Sequence, residues 1–304
     1  MAAVPQTRAS LSAVDIFAEH VKSQLAQYRS KHSASSRQMP PLFVAMQGPQ
    51  GSGKTTVTHS LISHLSSSGL SVGILSTDDL YHTHENLVRV ARENSSNPLL
   101  SGRGQPGTHD VSFGAELLNR IYHINSNPKA KVTLPLFDKS LHSGEGDRTP
   151  LSDLCPTLTA PLDVFILEGW SMGFSPISPA EIESKWRKFS TDSSFQRYSL
   201  DSLQQINVNL EAYTCWYDHF SVFLQISPTD LKNVYVWRTQ QEHAMKASNG
   251  GQGMTDQGVR RFVDRYMPGY HLFLDTIQTN KKWVGRSKSV TIDLDRKVVD
   301  VSDW

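Results

Sequence analysis

Between Met46 and Leu65 the chain reads MQGPQGSGKTTVTHSLISHL, a glycine-rich turn set between the apolar run PLFVAMQG and a segment with helical spacing. Gly48, Gly53, Lys54 and Thr55 match G-x-x-x-x-G-K-[ST], and the order strand, loop, helix is the context that gives the match its meaning. Glycines let a backbone curl around phosphate oxygens with its N–H groups turned inward, at the positive end of the following helix. Gly48, Pro49, Gln50, Gly51, Ser52, Gly53, Lys54, Thr55 and Thr56 are therefore expected to hold a nucleoside triphosphate. Lys54 bridges the β- and γ-phosphates in this reading, and the Thr55 hydroxyl is a ligand of Mg²⁺.

Similar apolar runs return as LSVGILST (Leu70 to Thr77), LDVFILEG (Leu162 to Gly169), FSVFLQIS (Phe220 to Ser227) and KSVTIDLD (Lys288 to Asp295), with helical spacing between them. Five short strands alternating with helices imply an α/β fold: a doubly wound, parallel five-stranded sheet with helices on both faces. Residues 1–40 read as an amphipathic helix of about 12–29, with Ser12 as N-cap, followed by the polar linker SKHSASSRQ; residues 41–304 read as one nucleotide-binding domain. Within it, 78–161 is an excursion rich in Gly, His, Asp and Pro where substrate residues gather. A helical lid spans about 229–254, backed by the flexible break NGGQGM.

Lys plus Arg number 30 against 29 for Asp plus Glu, so no electrostatic footprint for nucleic acid or an acidic membrane is present. No apolar segment reaches bilayer length. Cys155 and Cys215 have no metal-ligand spacing and read as reduced thiols of a cytoplasmic protein.

A phosphate loop leaves the fate of the γ-phosphate open. Asn280-Lys281-Lys282-Trp283 lacks the aspartate that reads guanine, and the chain is short for a motor. STDDLYHTHE places Asp78 and Asp79 at the carboxyl edge of the sheet, where ligands of open α/β folds bind; Asp78 is the candidate general base, with Asp79 and Tyr81 as substrate residues. Glu168 ends a buried strand where an acid can hold Mg²⁺, and Gly169 is expected to let the backbone approach a ligand. Arg238 lies in the lid. In the excursion, His109, Asp110, Lys139 and Arg148 are candidate substrate contacts, because ammonium and guanidinium groups suit a small acid. His82, His84 and His142 read as surface residues, and Arg260, Arg261 and Arg265 as a charged helix face.

The ordered series GPQGSGKTT, STDDLY, GQPGTHD, PLFDKS, GEGDR, ILEGW, NLEAY, WRTQQE and FVDRYMPGY, from about Pro41 to His271, resembles the glycerate kinase family of P-loop kinases, related to uridine kinase, pantothenate kinase and phosphoribulokinase. The resemblance implies ATP as donor, Mg²⁺ as metal and phosphorylation of a small hydroxy acid, with D-glycerate to 3-phosphoglycerate as the leading case. It puts the family's base aspartate on Asp78, its Walker lysine on Lys54, its strand-end glutamate on Glu168 and its lid arginine on Arg238. Lys139 and Arg148 fall on basic positions resembling substrate contacts of the related kinases. The chain departs in its N-terminal helix, which carries no plastid-type transit segment, and in a polar insert at about Glu183–Leu203. A nucleoside or pantothenate kinase and a non-catalytic ATP-binding regulator stay open as alternatives, as do monomer and homodimer.

Overall fold

The computed structural model describes residues 12–32, 39–189, 191, 194–248 and 250–304. In chain order the elements are α1 (Ala13–His32), β1 (Leu42–Gln47), α2 (Lys54–Ser67), β2 (Val72–Ser76), α3 (His84–Glu93), α4 (Val111–Tyr122), β3 (Lys131–Thr133), β4 (Phe137–Asp138), β5 (Asp147–Arg148), β6 (Thr157–Thr159), β7 (Val164–Gly169), α5 (Pro179–Lys188), α6 (Leu200–Glu211), α7 (Thr214–Tyr217), β8 (Val222–Pro228), α8 (Asn233–Ser248), α9 (Asp256–Asp264), α10 (Met267–Phe273), α11 (Thr276–Thr279), β9 (Ser287–Ile292) and β10 (Val298–Ser302). The linker from Ser33 to Gln38 and the first residue of the break at Asn249 lie outside the described residues.

Every residue of β1 and β7 is buried, as parallel strands covered on both faces must be. The main sheet has six strands in the order β10-β9-β8-β1-β7-β2. The five expected strands are all present and mutually parallel, and β10 adds an antiparallel edge beside β9. The sixth strand escapes a search for apolar runs because four of its five residues are exposed. Backbone pairing, with no buried face to betray it, makes it a strand.

Ser12 caps α1 as expected: its Oγ accepts from the Asp15 N–H at 3.2 Å while the Asp15 carboxylate accepts from the Ser12 N–H at 3.3 Å. Phe17, Ala18, Val21 and Leu25 are buried, and α1 packs on α2, β1, β8 and β9, so the helix shares the sheet's core. The excursion between β2 and β7 carries α3 and α4 and two small antiparallel ladders, β3 with β6 and β4 with β5. The β4–β5 ladder leans over the end of β2, and this brings the excursion's basic residues to the sheet.

Candidate active site

Parallel register decides what meets what. Met46 lies opposite Glu168 and Gln47 opposite Gly169, while Ser76 lies opposite Glu168 on the other side of β7. The loop after β1, the acid ending β7 and the turn after β2 therefore emerge side by side at the carboxyl edge.

The loop takes the turn its glycines permit, with Gly51 at φ 73° and Gly53 at φ 84°. Gly53 is the N-cap of α2 and offers no side chain to the helix terminus, so the first-turn N–H groups are left for an anion. Neighbours clamp the loop from outside. The Gln50 N–H donates to Tyr270 Oη at 3.1 Å and Arg296 Nε donates to the Gly51 carbonyl at 2.9 Å. A Cβ on Gly51 would sit 2.6 Å from Trp237 Cβ, so α8 presses directly on the backbone here.

Two ion pairs fill the space beside the loop. The Lys54 ammonium contacts the buried carboxylate of Glu168, and Lys139 Nζ lies 2.5 Å from Asp78 Oδ2. Burial draws the Lys54 ammonium down to about 8, against the pull of the Asp78 carboxylate. For Asp78, burial works upward, but the Lys139 and Lys54 ammonium groups outweigh it and hold the carboxyl at about 2. Asp78 is thus an ionised acceptor flanked by two lysines.

Behind Asp78, Tyr81 stacks on His109 with ring centroids 4.3 Å apart, and Phe137 meets Tyr81 edge-on at 5.3 Å. Burial lowers His109 to about 3, so the ring is neutral; its Nδ1 is 2.7 Å from Tyr213 Oη. Arg148 Nη2 donates to Asp110 Oδ2 at 2.9 Å, and its guanidinium lies 4.5 Å from the Phe113 ring centroid. Asp110 also caps α4, accepting from the Phe113 N–H. Asp79 is taken up locally: its Oδ1 accepts from the Phe137 N–H at 3.0 Å and ties β4 to the turn after β2. The side chain expected to meet substrate thus also has a structural partner through one of its oxygens.

Other expected residues have partners of their own. A Cβ on Gly169 would lie 2.4 Å from Thr77 Oγ1, so the glycine is needed for the neighbouring turn to pack here. Arg238 pairs with the buried Glu242 at 2.8 Å and lies 5.2 Å from the Phe262 ring, so the lid arginine is held along α8 and α9. His84 and His142 lie at the surface, as expected, with rings stacked at 3.7 Å and Glu145 and Asp147 as respective partners. His82 has its Nδ1 buried. Arg265 donates to the Gly102 carbonyl at 3.3 Å rather than forming part of a solvated face. Arg103, Tyr266, Tyr270 and Arg296 were not singled out from the sequence. Each stands outside the quoted phosphate motif and reaches the site only through tertiary packing.

Strand, phosphate loop, paired strand-end carboxylates and an overlying helix define a P-loop kinase, an ATP-dependent phosphotransferase acting on an alcohol group. A D-glycerate 3-kinase from Cryptococcus neoformans superposes with a TM-score of 0.89 at 38% identity, covering 97% of this chain and all of that one. A probable ATP-dependent kinase of Saccharomyces cerevisiae is 37% identical over 84% of this chain and 85% of its own length. The chloroplastic D-glycerate 3-kinase of Arabidopsis thaliana is 34% identical over 84% of this chain, which spans about half (52%) of the plant protein. No family model matches the sequence. The chain belongs to the glycerate kinase family of P-loop kinases.

Proposed function

We propose that this protein transfers the γ-phosphate of ATP to the 3-hydroxyl of D-glycerate, giving 3-phosphoglycerate and ADP. The observation that carries the reading is the Asp78–Lys139 pair beside Lys54: one ionised carboxylate between two cations, at the edge where the phosphate loop opens. The relatives that bear the name D-glycerate 3-kinase support the choice of acid. The aromatic groups behind Asp78 support it as well, because Tyr81 and His109 are spent on each other rather than open to stack a nucleobase.

In the reaction the 3-hydroxyl oxygen forms a bond to the γ-phosphorus as the bond to the β–γ bridging oxygen breaks, and Asp78 orients the hydroxyl and receives its proton. A carboxylate held near 2 is a weak base. That suffices where the transition state is loose and the proton leaves late, so orientation is the larger part of its work. Lys54, with Arg238 when α8 closes, balances charge on the transferring group. Release of ADP completes the turnover.

The oxygen donors present fit Mg²⁺. Thr55 is exposed at the start of α2, and Glu168 at the adjacent strand end would offer the carboxylate that here meets Lys54. Among the described residues no group of three or more His, Cys, Asp or Glu could hold a metal alone, which matches a cation bound mainly through phosphates and water with one or two protein oxygens. When bound, Mg²⁺ supplies charge neutralisation across the β- and γ-phosphates.

No described helix is long and apolar enough to cross a membrane. With Cys155 and Cys215 both free thiols, a reducing cytoplasmic setting is part of the proposal. The deciding experiment incubates the protein with MgATP and, separately, D-glycerate, pantothenate and uridine, and measures ADP together with the phosphorylated product. 3-Phosphoglycerate is expected; turnover confined to pantothenate or uridine would falsify the assignment.

A further inference from the structure

An acid substrate needs a cation for its carboxylate, and the two ammonium groups beside Asp78 are already engaged, Lys139 by Asp78 and Lys54 by Glu168. Arg103 differs. Its loop is fixed from several sides: the Gly104 N–H donates to Thr108 Oγ1 at 3.0 Å, the Gly104 carbonyl accepts from Trp170 Nε1 at 3.0 Å, and a Cβ on Gly104 would strike Tyr266 Oη at 2.5 Å. From this loop the partly exposed guanidinium reaches over the Phe137 ring, 5.6 Å from its centroid. Nη1 donates to the Gly144 carbonyl at 2.7 Å and to the Glu145 carbonyl. Those acceptors are neutral, and among the described residues no carboxylate forms an ion pair with Arg103. The charge acts instead on Tyr81, Tyr266 and Lys139, the groups that surround Asp78.

We propose that Arg103 anchors the carboxylate of the hydroxy acid, so that the far end of a three-carbon substrate presents its hydroxyl to Asp78. The proposal rests on the D-glycerate reading above. Its physical basis is that a planar guanidinium with one face of donors tied to carbonyls keeps further N–H groups in a fixed fork, the arrangement that grips a carboxylate. A pre-set loop holds that fork without ordering cost on binding.

The test compares D-glycerate with glycerol, which keeps the hydroxyls and lacks the carboxylate, in the full-length chain with MgATP. Arg103→Met is expected to raise the KM for D-glycerate on the order of 10²-fold, the effect of deleting one partner of a charged hydrogen-bonded pair, while the KM for ATP moves less than about twofold. The preference for D-glycerate over glycerol falls by about the same factor, and Arg103→Lys restores part of it. Thermal unfolding of each variant, and equilibrium binding of D-glycerate to Arg103→Lys, cover the case in which Arg103→Met folds poorly. Equal losses with both acceptors mark a purely structural tie to the Gly144 and Glu145 carbonyls and overturn the proposal, as does an unchanged KM for D-glycerate. If the unaltered chain ignores D-glycerate altogether, the parent reading fails first and this one falls with it.

Discussion

Lys139 Nζ and Asp78 Oδ2 are 2.5 Å apart, and this contact joins the β4–β5 ladder to the turn after β2. The same ammonium that lowers the carboxyl holds one of its two oxygens, Oδ2. On the proposed role of Asp78, a hydroxyl would meet the carboxylate with Lys139 still on Oδ2.

Asp78→Asn keeps the shape and removes the charge. ATP binding should stay within about threefold while kcat for D-glycerate falls about 10²–10⁴-fold, the usual range for a positioned acid or base. Equilibrium nucleotide binding and steady-state turnover, measured on the same preparation, separate the two effects. A variant with near-native kcat removes Asp78 from the chemistry.

Lys54 and Glu168 form a buried pair, with side chains 13% and 5% exposed. Truncating one partner leaves the other charge uncompensated, which costs about 3–5 kcal/mol. Lys54→Met should therefore lower unfolding stability by about that amount and abolish transfer, whereas the double variant Lys54→Met, Glu168→Gln should recover stability without recovering activity. Denaturant titration decides the first point and product assay the second. Two single variants as stable as the parent show that the pair carries no such burden.

The lowered Lys54 gives a pH signature. Burial works to lower the Lys54 ammonium below an ordinary lysine, so in the free protein its charge is lost earlier as pH rises. The quotient kcat/KM for ATP should therefore fall on an alkaline limb below the ordinary lysine range, while kcat, measured with phosphates already against the ammonium, stays flat to higher pH. His109 sets a stability signature at the acid end. Its neutral form is kept down to about 3 against an ordinary value of 6.5, so the unfolded chain binds more protons in that window and stability is lost as pH falls from 6.5 towards 3. His109→Phe should flatten that slope in urea titrations at several pH values. An unchanged slope assigns the acid sensitivity to other groups.

The fold was legible because each parallel strand is a continuous apolar run, and β10 was not, because its side chains are mostly exposed. Lys54, Asp78, Glu168 and Lys139, singled out in the sequence, lie together, for the register of β1, β7 and β2 brings their ends into line. Partnership was harder to read. Nothing in STDDLY tells Asp78 from Asp79, and the difference is a single backbone N–H on Phe137, 58 residues away, that engages one of them. Gly169 poses a related difficulty: a glycine admits close approach, but only packing names Thr77 as a neighbour that needs it. Arg103 and Arg296 sit in loops whose positions depend on contacts far along the chain, so local patterns hold no trace of where they point.

Gly51 and Gly53 test whether α8 must lie against the phosphate loop. Both have left-handed backbone, φ 73° and 84°, so an alanine at either position costs roughly 1–2 kcal/mol in strain alone. Their surroundings differ. The added Cβ at Gly53 would meet nothing nearer than Arg296 Cδ at 3.7 Å, whereas at Gly51 it would stand 2.6 Å from Trp237 Cβ and 2.8 Å from the Trp237 carbonyl carbon. Backbone on both sides leaves no flexible side chain to yield, so Gly51→Ala must push α8 outward and pull Trp237, fully buried, from its packing. In thermal unfolding without nucleotide, Gly51→Ala should lose clearly more stability than Gly53→Ala, and Trp237 should become more accessible to a fluorescence quencher in Gly51→Ala alone. Equal losses with Trp237 equally shielded mean that α8 rests on the loop loosely enough to absorb a methyl group, and the lid does not depend on that contact.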